Sequence, residues 1–120
     1  MIKLCDFTIG YGKKLLLNKV DASFKKGKLT ALIGRNGTGK STLLRAIAGL
    51  NSLYSGEIQL DGKNVKTLRP NELAKTIAFV NTERTRIANL RCEDVVSIGR
   101  APYTNWIGRL QEIDKKIVMK

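Results

Sequence analysis

The sequence predicts an α/β fold in which a small antiparallel β subdomain leads into a buried strand, a glycine-rich loop and an apolar helix. Three observations predict it. Apolar and polar side chains alternate between glycine turns in the first 25 residues and again over residues 57–60. Residues 29–33 form a compact apolar run without alternation, the pattern of a strand covered on both faces. Directly after that run, eight glycine-rich residues open onto helical periodicity.

The elements follow in order. Ile2, Leu4, Phe7, Ile9 and Tyr11 alternate imperfectly and read as a strand ending at the turn Gly10-Tyr11-Gly12. After Lys13-Lys14, Val20, Ala22 and Phe24 alternate strictly with Asp21, Ser23 and Lys25, a half-buried strand closed by the Gly27 turn and expected to lie antiparallel to the first. Residues 42–50 are apolar around most of a helix, so that helix is expected to be buried, with Gly49 as its stop. Glu57-Ile58-Gln59-Leu60 runs into the hairpin turn Asp61-Gly62. A short helical turn over residues 71–75 is expected to precede a strand at residues 77–80. Residues 93–98 and 110–119 read as helices. The second places Leu110, Ile113 and Ile117 on one face, pairs Glu112 with Lys116, and carries no stop signal, the pattern expected of a truncated chain.

Composition narrows the chemistry. A chain of 120 residues suffices for one core, so neither disulfides nor a structural metal is required. The absence of His excludes Ser-His and Cys-His nucleophile pairs and the commonest zinc ligand. Cys5 and Cys92 match no C-x-x-C spacing and suit free thiols in a reducing compartment. No apolar run exceeds four residues, far short of the roughly 20 a membrane span needs, and Lys3 and Asp6 interrupt any signal-peptide core. Of the net charge of +12, +8 falls in the first fifty residues. It arrives in short turns such as Lys25-Lys26-Gly27-Lys28, which read as solvated surface; the alternative is a surface that attracts polyanions.

The octet Gly34-Arg35-Asn36-Gly37-Thr38-Gly39-Lys40-Ser41 satisfies G-x-x-x-x-G-K-[ST] between an apolar run and an apolar helix. Glycines let the backbone turn tightly, so that successive N–H groups and a helix N-terminus can face phosphate oxygens. Lys40 adds a point charge toward the β and γ phosphates. Ser41 offers a hydroxyl to Mg²⁺, and Thr42 stands beside it as a further phosphate contact.

Residues 31–44, Ala-Leu-Ile-Gly-Arg-Asn-Gly-Thr-Gly-Lys-Ser-Thr-Leu-Leu, resemble the Walker A segment of ABC transporter ATPases, G-P-N-G-[SA]-G-K-S-T-L-L, with Arg35 at the Pro position. Tyr11 stands where that family carries an adenine-stacking aromatic, and Ser55-Gly56-Glu57-Ile58 with Asp61-Gly62 matches its S-G-x-[IV]-x-x-x-G stretch. Residues 96–110, with Tyr103 and Trp106, are similar to the start of the helical subdomain in importers of ferric siderophores, haem and cobalamin. The resemblance implies the N-terminal part of a P-loop NTPase of ABC type. Residues 1–82 would form the β subdomain and P-loop core, and residues 83–120 the Q-loop region and the start of the helical subdomain.

It further implies an ATP-binding subunit that uses ATP and Mg²⁺, with Tyr11 on adenine and Gly34, Asn36, Gly37, Thr38, Gly39, Lys40, Ser41 and Thr42 around the phosphates. Partners would be transmembrane permease subunits, with Tyr103 and Trp106 as candidate anchors, a second ATP-binding subunit in a head-to-tail dimer, and indirectly a periplasmic binding protein. No nucleic acid is expected. The location implied is cytoplasmic, peripheral on the inner face of the cell membrane. Where the family carries Pro-Gln, this chain has Asn81-Thr82-Glu83, so Thr82 takes the aligned place and Glu83 is the candidate substitute at the attacking water. No L-S-G-G-Q signature, no apolar strand ending in Asp-Glu and no switch His occurs, so the chain alone is expected to lack full ATPase activity. A non-catalytic nucleic-acid-binding module using the basic loop is the rival reading.

Overall fold

A computed structural model describes residues 1–82, 88–104 and 110–120. The chain divides into two compact units, Met1–Ala78 and Phe79–Lys120. In the first, strands β1 (Ile2–Tyr11), β2 (Lys14–Phe24), β3 (Tyr54–Leu60) and β4 (Lys63–Asn64) form one antiparallel sheet in the order β2-β1-β3-β4. Helix α1 (Lys40–Ile47) lies between β2 and β3 in sequence, and a 3₁₀ turn at Val65–Thr67 and helix α2 (Pro70–Thr76) complete the unit.

The imperfect alternation of β1 has a structural cause. Leu4 and Phe7 are both fully buried although three residues apart, which a regular strand of period two forbids. Asp6, with φ of 48°, forms a bulge between them, and its N–H donates to the Asp21 carboxylate at 2.8 Å. Leu4, Phe7, Ile9, Ile58 and Leu60 from the sheet then meet Leu43, Ala46 and Ile47 of α1 in one core. The Phe7 and Tyr54 rings lie 5.2 Å apart, and Tyr54 has its phenol pKa raised by burial and, secondarily, by the Glu57 carboxylate. The Asp61-Gly62 turn forms as expected, its two residues at φ of 48° and 82° joining β3 to β4. Asp61 also pairs with the Met1 ammonium, which holds its carboxyl below the usual range.

Two expected strands are not strands. Residues 29–33 and 77–80 have no regular secondary structure and pair with no strand, with Leu29, Ile33 and Val80 at 103%, 90% and 91% exposure. A strand covered on both faces requires neighbouring strands to pair with, and among the described residues none pairs with either run. Likewise α1 buries only one stripe, Thr42, Leu43, Ala46 and Ile47, and leaves Leu44 exposed, as is Leu50 beyond its end, because a single sheet face covers it. Its end matches expectation, with Gly49 in the left-handed region at φ of 73°.

The second unit holds α3 (Cys92–Ser97), a 3₁₀ segment at Ile98–Tyr103 and α4 (Glu112–Val118). Helices α2, α3 and α4 start alike, an acid at the third position accepting the N-cap N–H: Arg69 to Glu72, Arg91 to Asp94 and Gln111 to Asp114, at 2.9–3.1 Å. The inward face of α4 is not the expected apolar one. Ile113 and Ile117 are exposed, and Asp114 is buried, bound by Arg100 Nε at 2.7 Å and the Gln111 N–H at 3.0 Å. Those partners turn the helix so that the carboxylate faces inward. Glu112 pairs with Lys115 at 3.9 Å, in place of Lys116. Both cysteines are free.

Candidate functional site

The glycine-rich loop is held in shape by its own side chains. Lys40, the first residue of α1, folds back so that Nζ donates to the carbonyls of Gly34 and Arg35, each at 2.6 Å. Thr38 Oγ1 donates to the same Arg35 carbonyl at 2.7 Å. Position 35 therefore closes the loop through its backbone oxygen, which Pro and Arg both supply, and the Arg35 side chain is exposed. An ammonium has three donors. Two hold the loop, which leaves one for an incoming acceptor.

Gly39 sets the angle between loop and helix. Its φ of 95° is one that side-chain-bearing residues rarely adopt, and a Cβ there would lie 3.1 Å from Leu16 Cβ of β2. Its carbonyl accepts the first helical bond, from the Leu43 N–H at 2.9 Å. No side chain caps α1 and its first turn contains no acid, so the free N–H groups and the positive end of the helix dipole are open to an anion.

A cavity of about 390 Å³ opens over this helix start, a size within the range of about 300–1,000 Å³ common for small-molecule sites. Asn36, Gly37, Gly39, Lys40, Ser41 and Thr42 line one side, and Tyr11, Lys14 and Leu16 from the β1–β2 hairpin line the other. Tyr11, 57% exposed, thus comes to the same cavity as the loop, 25 residues or more away in sequence. Gly34 and Thr38 belong to the loop's internal bonding and do not line the cavity. Lys14 and Leu16 were not singled out from sequence; the pairing of Tyr11 with Lys14 across a two-residue turn is the signal that points to Lys14. A second cavity, about 420 Å³, is walled mainly by apolar groups such as Phe24, Leu43, Ile47 and Leu60 and includes no residue of the octet.

The remaining candidates lie elsewhere. Thr82 is exposed in the second unit, while Glu83 and Trp106 fall outside the described residues. Tyr103 is exposed, with the Arg100 guanidinium 4.2 Å from its ring centre. Among the described residues no group of three His, Cys, Asp or Glu could hold a metal ion, and no helix is long and apolar enough to cross a membrane.

An α/β chain whose glycine-rich loop closes on a lysine at the head of a helix is of the phosphate-loop class. Comparison with known proteins resolves the class further: residues 17–119 match the family model for the ABC transporter, and the chain belongs to that family. It is 42% identical over its full length to an uncharacterized ABC transporter ATP-binding protein of Methanocaldococcus jannaschii. It is 38% identical over 95% of its length to a petrobactin import ATP-binding protein of Bacillus subtilis, and 34% identical over 92% to an iron(3+)-hydroxamate import ATP-binding protein of the same species. The chain spans only 41–44% of the length of these relatives.

Proposed function

We propose that the hairpin tip and the phosphate loop bind ATP, as part of an ATP-binding subunit that couples ATP hydrolysis to import. The observation that carries this reading is the single cavity shared by Tyr11 and the loop residues. Tyr11 offers a flat ring for adenine. Gly37, Gly39, Lys40, Ser41 and Thr42 offer N–H groups, an ammonium and hydroxyls for the phosphates, with Asn36 at the cavity edge. The neutral oxygens lining the cavity, the Ser41 and Thr42 hydroxyls and the Asn36 amide, suit Mg²⁺, a cation that keeps several waters and takes its remaining ligands from few protein oxygens and from substrate phosphates. Ser41 would hold it, and the ion would offset charge on the β and γ oxygens.

The cargo proposed is an iron siderophore, haem or cobalamin. The names of the petrobactin and iron(3+)-hydroxamate import relatives support the siderophore class. Permease subunits, a second ATP-binding subunit arranged head-to-tail and, indirectly, a periplasmic binding protein are the proposed partners, which places the chain at the cytoplasmic face of the membrane. The 120 residues alone carry no signature L-S-G-G-Q and no Asp-Glu strand end, so they bind ATP without turning it over at the rate of the assembled transporter. Glu83, or Thr82 at the aligned place, is proposed to take the position of the Q-loop Gln in that assembly.

Titration of the chain with ATP tests the reading. Binding should require Mg²⁺ and fall at least tenfold in Lys40→Ala, the loss of one charge-assisted contact of about 1.5 kcal/mol. Binding indifferent to both, coupled with nucleic-acid affinity that falls log-linearly with salt, would favour the polyanion reading instead.

A further inference from the structure

We infer that Lys14 is a nucleotide-binding residue that contacts the α-phosphate; the inference rests on the ATP site proposed above. Tyr11 and Lys14 are direct partners at the end of the β1–β2 ladder, so their side chains leave the same face, with Cβ atoms about 5 Å apart. Leu16 lines the cavity too, and its Cβ lies 3.1 Å from the place a Cβ on Gly39 would occupy. The hairpin tip is therefore seated on the start of α1, with Tyr11 and Lys14 facing the same cavity as Lys40 and Ser41.

Charge supports the assignment. Lys14 is exposed, and its ammonium forms no ion pair or hydrogen bond among the described residues. Its neighbour Lys13 sits at the same turn and does not line the cavity. Two cations thus face one cavity from opposite elements: Lys40 rises from the helix start, tied to Gly34 and Arg35, and Lys14 from beside the aromatic ring. With adenine against Tyr11 and the terminal phosphates at Lys40, the anionic group nearest the ring is the α-phosphate. A flexible four-carbon stem lets the Lys14 ammonium reach it without moving the backbone.

The assignment separates by ligand series. Lys14→Met removes the charge and preserves the stem, and Lys14→Arg retains the charge. The dissociation constants of ATP, ADP, AMP and adenosine are measured for each variant beside the unsubstituted chain. Lys14→Met should weaken ATP, ADP and AMP alike, about threefold to tenfold, between an exposed ion pair and a fully formed charge-assisted bond. Adenosine should be unaffected, and Lys14→Arg should restore most of the loss. Lys40→Ala should instead weaken ATP and ADP and spare AMP. Equal affinities for all ligands in Lys14→Met and the unsubstituted chain would overturn the assignment and leave the ATP site intact. A loss that includes adenosine would also overturn it, by making Lys14 a support of the hairpin. If the unsubstituted chain binds none of the four, the ATP-site reading fails and this one fails with it.

Discussion

Replacing Gly39 by Ala should damage the site through two separable effects, and the structure supplies both magnitudes. Its backbone, at φ of 95°, lies in the region that costs an L-residue about 1–2 kcal/mol. The added methyl would also sit 3.1 Å from Leu16 Cβ, with Leu16 Cδ1 at 3.6 Å, so the hairpin must give way by a few tenths of an ångström. For a half-buried neighbour the low end of overpacking costs applies, about 1 kcal/mol. The sum is about 2–3 kcal/mol. Gly37 provides the control, since its φ of 78° carries the same conformational penalty while nothing lies within 4 Å of a Cβ there. Urea unfolding and ATP titration of both variants should show Gly39→Ala worse than Gly37→Ala by about 1 kcal/mol, summed over stability and affinity.

A double-mutant cycle sharpens the test. Because the closest atom is the Leu16 Cβ itself, Leu16→Ala should relieve little of the Gly39→Ala cost. Leu16→Gly, which removes that atom, should relieve about 1 kcal/mol as coupling. Strain released by the loop leaving its left-handed turn would appear as lost affinity, about tenfold for each 1.4 kcal/mol. Equal costs for Gly37→Ala and Gly39→Ala, or equal relief by Leu16→Ala and Leu16→Gly, would refute the steric half of the reasoning.

Phe7→Ala should destabilise the first unit by about 3–5 kcal/mol in urea unfolding, since Phe7 is fully buried and borders the Tyr54 ring; affinity of the folded fraction should hold, because Phe7 does not line the cavity. Asp114→Asn should loosen α4, read as faster amide exchange over residues 112–118. The Gln111 N–H and then Arg100 hold the Asp114 carboxyl below the usual range, so its stabilisation is full above about pH 3.9 and is lost as pH falls through the lowered folded value. The difference between the variant and the unsubstituted chain should therefore shrink in acid. In a complete ATP-binding domain, Glu83→Ala should slow ATP hydrolysis more than Thr82→Ala, measured as phosphate release; equal and negligible effects would remove both from the site.

The phosphate loop was legible because its chemistry is local: the glycines, Lys40 and the following helix are contiguous, and the bonds from Lys40 to Gly34 and Arg35 span at most six residues. The antiparallel hairpins were legible for the same reason, through alternation and the turns at Gly12 and Gly62. Residues 29–33 and 77–80 failed as strands because composition reports the environment a segment suits, while a strand exists only where a neighbour pairs with it. Their apolar side chains suit a covered sheet, and among the described residues no strand pairs with them. In α4 periodicity misled for another reason. Arg100, fourteen residues away and invisible to a helical wheel, draws Asp114 inward and sends Ile113 out.

The bulge at Asp6 links the core to the site. Before it, even-numbered β1 residues face inward, as Leu4 does; after it, odd-numbered residues do, as Phe7 and Ile9 show. Two residues beyond Ile9, Tyr11 inherits that face, the one on which α1 packs, and so comes out over the start of α1. Without the extra residue, the parity set by Leu4 would send Tyr11 to the opposite side of the sheet, away from the loop. Core packing thus fixes which way Tyr11 faces: for both Leu4 and Phe7 to be buried, β1 must bulge, and once it bulges Tyr11 and the phosphate loop share a cavity. A motif search finds the loop, but the placement of Tyr11 follows only from counting side-chain faces through the strand.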